Sequence, residues 1–206
     1  MSLRSRSSSP EVPRQGRPNQ RSRTRRDLLD AALKVSASGR SATLDEIAEE
    51  ARVSRATAYR YFPNVEDLLA EASLHVAFPG PECLAGASDD PIGRLMCIDK
   101  AVDDMIRANE TALRMMVASA TRIPLQSRDV PARQNRRLPL IEAALAPVRT
   151  EFSPEAYARL TEALCLVIGT EAMLVFKDVL RLSPAQARDV RRWTIESLVI
   201  AARGAE

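Results

Sequence analysis

The chain has 206 residues, 28% charged, 45% apolar and 4% aromatic, enough for one or two domains with a sizeable core. Its net charge of +3 is unevenly placed: residues 1–26 carry +7, residues 27–77 carry −4, and residues 78–206 are neutral. There is no apolar run long enough to span a membrane, no secretory signal and no CxxC pair, and a lone His75 leaves little for a His-based metal site or a Ser-His triad.

Residues 1–22 read as a disordered basic arm of Ser, Arg, Pro and Gln without apolar periodicity. Helical patterning starts near Thr24, with Leu28, Leu29, Ala32, Leu33 and Val35 on one side and Gly39 as the stop. Thr43 with Glu46 forms a capping box that opens a short helix with Leu44, Ile47, Ala48 and Ala51 inward. After a turn at Arg52-Val53, Ser54 caps a second short helix, Arg55 to Phe62, which Pro63 ends. Asn64 and Asp67 then form another box and open a helix running to about Phe78.

The breaker Phe78-Pro79-Gly80-Pro81 sets a domain boundary, giving 23–78 as one domain and 79–206 as another. The preceding helix is expected to belong to both. Further helices are predicted at about 91–108, 110–121, 136–149, 154–180 and 184–203, with 122–135 as a polar, Arg-rich loop. Ser153 and Ser183, each followed by a proline, are N-caps. Strand signals are almost absent, so the fold class is all-α.

The short helices joined by a four-residue turn match a helix-turn-helix, whose second helix lies in the DNA major groove. That helix offers Arg55, Thr57, Tyr59, Arg60 and Tyr61, and residues 52–65 contain no acid. Arg bonds guanine bidentately, and hydroxyls reach phosphates or base edges. Arg21, Arg23, Arg25 and Arg26 precede the first helix. As an arm they fit a narrow minor groove; as a leader without fixed contact they merely solubilise.

The run from Thr43 to Leu69, TLDEIAEEARVSRATAYRYFPNVEDLL, resembles the helix-turn-helix signature of TetR-family transcriptional regulators. The resemblance covers about residues 25–75. It implies all-α subunits in a homodimer, each with a DNA-binding domain followed by a ligand-binding and dimerisation domain. It also implies phosphate contacts from Thr43 and Tyr61, and places Arg55, Ala56, Thr57 and Tyr59 at or near double-stranded DNA. The Asn64 helix start offers backbone N–H groups to phosphate. There are departures. Arg52 stands where the family often has Gly, at a cost of about 1 kcal/mol if the turn is left-handed, with a phosphate contact in return. Ala58 replaces a bulky apolar residue, the aromatics late in the first helix and after Gly39 are missing, and Val65 stands where a Lys often assists.

In the second domain, the broad apolar faces of 154–180 and 184–203 suit a four-helix dimer interface, with Leu164, Ile168, Gly169, Val190, Trp193 and Leu198 as its residues. Gly169 is read as a helical glycine allowing close helix approach. Met96, Met105, Met115, Met116 and Ser119, with Cys165 and Glu171, are the candidate pocket for an unidentified small-molecule effector. The same methionines also read as ordinary core.

The expected function is a cytoplasmic DNA-binding regulator, a repressor released by its effector from a palindromic operator. No catalytic residue, metal or cofactor is expected. The rival readings are a helical interaction protein with degraded DNA reading and a helical enzyme.

Overall fold

The structure, a computed structural model, describes residues 16–37, 42–87, 89–122 and 135–204. Among these the regular elements are helical and no strand occurs. Helix α1 spans Gly16–Ala37, α2 Leu44–Glu50, α3 Arg55–Tyr61 and α4 Val65–Ala77. After a 3-10 turn at Pro81–Leu84 come α5 (Pro91–Ala108), α6 (Glu110–Arg122) and α7 (Arg137–Leu145). A 3-10 stretch, Ala146–Glu151, leads to α8 (Pro154–Val167), α9 (Thr170–Leu174) with a π-turn at Val175–Val179, and α10 (Pro184–Arg203).

Two cores form. Leu28 and Leu29 of α1, Leu44 and Ile47 of α2, Ala58 and Tyr61 of α3, and Leu68 and Ala72 of α4 close the N-terminal one. The other joins Leu95, Ile98 and Val102 of α5, Ile141 and Leu145 of α7, Leu164 of α8, and Ile195 and Val199 of α10. Each fully buried leucine, isoleucine or valine among them contributes about 1.5–3 kcal/mol. Helix α4 serves both, because Leu68 and Ala72 face one core while Leu74 faces the other.

The start of α1 differs from the sequence reading. Residues 16–22 are helical, whereas residues 1–22 read as disordered; residues 1–15 lie outside the described residues. Pro18 is tolerated there because it sits in the first turn, where N–H groups lack helical partners. Residues 123–134, the body of the expected Arg-rich loop, also lie outside.

The helix expected over 154–180 is broken. Helix α8 ends at Val167, and Gly169 takes φ 146 and ψ −170, a conformation other residues rarely adopt. Gly169 is therefore a joint, not a helical glycine. Arg137 fills the space beside it: its Nη1 donates to the carbonyls of Cys165 (2.9 Å) and Ile168 (3.1 Å). Its Nη2 pairs with Glu171 at 2.8 Å. One guanidinium thus caps the end of α8 and ties it to the first turn of α9.

A second arginine locks α10 to α5. Arg191, 4% exposed, lies 3.0 Å from both Asp99 and Asp103, themselves buried. Burial pushes the Asp99 carboxyl up to about 6 although Arg191 and its hydrogen bond pull the other way.

Candidate nucleic-acid interface and the cavity behind it

Local chemistry positions the helix-turn-helix. Thr43 Oγ1 accepts from the Glu46 N–H (3.2 Å), and the Glu46 carboxylate accepts from the Thr43 N–H (2.9 Å), completing the capping box. Ser54 Oγ accepts from the Thr57 N–H at 3.2 Å and starts α3. Asn64 Oδ1 accepts from the Asp67 N–H at 2.7 Å and starts α4, while the Asp67 carboxylate accepts from the Asn64 side-chain amide. Each cap reaches only three residues along the chain, which is why the sequence announces all three helices.

The turn between α2 and α3 is the left-handed one: Arg52 has φ 56. The strain foreseen at this position is therefore present.

Most of the expected DNA residues are exposed. Thr43, Arg52, Arg55, Ala56, Tyr59, Arg60 and Asn64 are exposed, and Thr57 is half-buried with its hydroxyl hydrogen-bonded to Ser54. Arg55 pairs with Asp45 at 3.2 Å and is 76% exposed. A pair so exposed is worth little, so Arg55 is available to a stronger partner at small cost. Arg23 and Arg26 are exposed on α1.

Two residues stand elsewhere. Tyr61 is 4% exposed and belongs to the core, because α3 buries one face among the helices of the N-terminal domain, α2 above all. Arg25 is 5% exposed and points inward. Its Nε donates to Glu71 Oε1 at 2.9 Å and its Nη2 to Oε2, and its guanidinium lies 4.5 Å over the Phe62 ring. It is a structural cation of the domain, not part of a surface arm.

Glu71 was not singled out by the sequence reading, although a signal existed: it shares the inner face of α4 with Leu68, Ala72 and His75 at helical spacing. Behind it lies a cavity of about 50 Å³ lined by Leu74, Phe78, Met105, Met116, Arg136 and Thr170, among others. Of the expected pocket residues, Met105 and Met116 line it. Met96 is packed at the edge of the C-terminal core, and Met115 is 56% exposed on the outer side of α6. Cys165 faces Asn135, and Glu171 is occupied by Arg137, both outside the lining. The Ser119 side chain lies outside the described residues.

The expected interface residues also separate. Leu164 and Ile168 are fully buried in their own subunit, and Gly169 is buried at its joint. Their periodicity marked an apolar face, but that face looks inward. Leu198 is half-buried, whereas Val190 and Trp193 are 39% and 69% exposed. Leu166 (75%) and Ile200 (64%), which the sequence reading passed over, join the exposed set.

Among the described residues no group of His, Cys, Asp or Glu is placed to hold a metal, and no helix is long and apolar enough to cross a membrane.

Residues 28–72 match the family model described as "Bacterial regulatory proteins, tetR family". The chain is also similar to the HTH-type transcriptional repressor LfrR of Mycolicibacterium smegmatis, with 48% identity over 56 residues. That alignment covers 27% of this chain and 30% of LfrR, so the chain matches under a third of this curated relative's length. No solved structure matches the chain significantly. The family match falls on the segment that builds α1 to α4 around the exposed α3, and through this segment the chain is similar to the tetR family of bacterial regulatory proteins.

Proposed function

We propose that the chain is a DNA-binding transcriptional regulator, a homodimeric repressor released from a palindromic operator by a small-molecule effector. The observation that carries this reading is the side-chain-capped α2-turn-α3 unit, which holds Arg55, Ala56 and Tyr59 toward solvent on one helix, with Thr57 half-buried among them. In the major groove such a helix reads base edges, while Thr43, Arg52 and the start of α4 grip phosphates. The matched relative is named a repressor, which supports the direction of control.

Dimerisation is supported by the outward sides of α8 and α10. Leu166, Trp193 and Ile200 are large apolar residues left open to water on helices that pack against each other. A two-fold pairing through them sets two copies of α3 at a fixed separation, about 34–36 Å for half-sites one turn apart. The effector reading rests on the cavity behind α4. Its inner space is about 50 Å³, so a larger molecule seated wholly within it needs α4 and its neighbours to part. A ligand that favours the parted state draws the population away from the DNA-binding one by its differential affinity.

Selection from random duplex DNA tests the reading. A palindrome should be enriched, and Arg55→Ala with Tyr59→Ala should abolish binding to it with helicity unchanged. Absence of enrichment even at low salt would overturn it.

A further inference from the structure

We propose that Glu71 is a positioning residue that ties the cavity of the C-terminal domain to the reading helix, through the chain Arg136–Glu71–Arg25–Phe62. The inference rests on the reading of α3 as the DNA-facing helix and gives that reading a mechanical connection.

One carboxylate is held by cations from both domains. Arg25 on α1 grips both Glu71 oxygens, and Arg136, just before α7, reaches Oε1 at 3.5 Å. The oxygen that Arg136 approaches is the one that accepts from Arg25 Nε, so moving Arg136 changes the field in which Arg25 is held. Arg25 in turn covers the Phe62 ring. Phe62 is 2% exposed and terminates α3, its N–H donating to the Ala58 carbonyl at 2.9 Å. The path therefore ends on the last turn of the reading helix.

At its other end the path opens on the cavity. Glu71 and Arg136 both line it, as does Arg137. Arg137 fixes the start of α7 to the carbonyls of Cys165 and Ile168, so the position of Arg136 reports on the α8–α9 joint. A guest entering this space meets Arg136 and Glu71 directly.

Stability gives a poor reason for this arrangement. Glu71 and Arg25 are 4% and 5% exposed, and taking both charges out of water costs about as much as their attraction returns. What a buried, hydrogen-bonded pair does supply is a fixed orientation, because alternatives leave a charge without its partner.

Hydrogen exchange of the full chain reads the path without DNA. Arg136→Gln should speed exchange of the amides of Ala58 to Phe62 by at least about twofold, the low end of coupling within one network. Amides of α8 and α10 should stay unchanged. Arg136→Lys, which keeps the charge, should restore part of the protection. In a Phe62→Leu background, Arg136→Gln should add nothing further to exchange in α3. Unchanged α3 exchange in Arg136→Gln, or an equal effect with Phe62 replaced, would overturn the proposal. Glu71→Gln should reproduce the α3 effect. Should that variant fail to fold, Arg136→Gln decides alone, since its site is at the edge of the pair. Duplex binding is a separate measurement, so failure of the regulator reading and failure of this path are told apart.

Discussion

The two halves of the molecule are fastened differently. In the N-terminal domain the helix starts are capped by side chains three residues away: Thr43 with Glu46, Ser54 with Thr57, Asn64 with Asp67. In the C-terminal domain three arginines make the joints across long stretches of chain. Arg137 reaches carbonyls 28 and 31 residues on, Arg94 reaches those of Ala143 and Ala144, and Arg191 reaches Asp99 over 92 residues. The difference teaches that local caps place the short helices of the reading head. The larger domain, whose α5, α8 and α10 are capped the same way by Asp90, Ser153 and Ser183, needs long-range arginines as well to join its helices. The exceptions are Arg25 and Glu71, where the long-range kind of fastening enters the reading domain itself.

That contrast can be broken first at Arg191. Arg191→Met leaves Asp99 buried without its cation and Asp103 with Arg107 alone, and should cost about 3–5 kcal/mol, measured by urea unfolding at pH 7. The pH dependence sharpens the test. Burial raises Asp99 to about 6 in the fold, above the ordinary carboxyl value, so folding favours its protonated form. Its contribution is present at low pH and is lost as pH rises from about 4 to about 6. Without Arg191 this trend steepens, so the deficit of the variant should shrink when unfolding is repeated at pH 5. A deficit independent of pH would remove the buried carboxylates from the explanation.

His75 slopes the opposite way. Burial, helped by Arg136, lowers its pKa although Asp30 opposes this, so the fold favours the neutral ring. Its stabilising contribution is present above the ordinary value of about 6.5 and is lost as pH falls below it. His75→Leu should flatten the acid side of the stability profile.

Gly169→Ala is expected to rank next. The backbone there suits glycine, and a methyl would sit 2.1 Å from Arg137 Nη1. A loss of about 2–3 kcal/mol should appear in urea unfolding.

The smallest effect is expected at Arg52. Arg52→Gly relieves the left-handed turn and should raise stability by up to about 1 kcal/mol, less the added freedom of the unfolded chain. The same change should weaken duplex binding and reduce the slope of log K against log salt by about 1 if Arg52 meets a phosphate. A gain in stability with an unchanged slope would leave Arg52 as a strained turn residue without a role at DNA.

Local signals were legible in both halves, since the bounds of α5 and α10 and the caps Ser153 and Ser183 stand as the sequence predicts. Helices α2 to α4 and their caps were readable because each signal is complete within a few residues. Tyr61 and Arg25 show where this ended. Both belong to the right segment, and neither pattern nor composition says that they turn inward, because that depends on α1 to α4 meeting. Leu164 and Ile168 failed likewise: an apolar stripe fixes which side of α8 is buried, not whether its cover is the same subunit or a partner.

The sequence by itself determined an all-helical chain and a capped helix-turn-helix with an acid-free stretch at residues 52–65. The basic tail did not behave as one unit, since Arg23 and Arg26 are exposed while Arg25 is buried against Glu71. Only the tertiary structure decided that, together with the break at Gly169, the pairing of Arg191 with Asp99, and the cavity behind α4. The physical reason is range. Caps and periodicity act within a turn or two of helix, whereas the environment of a buried charge is made by residues tens of positions away.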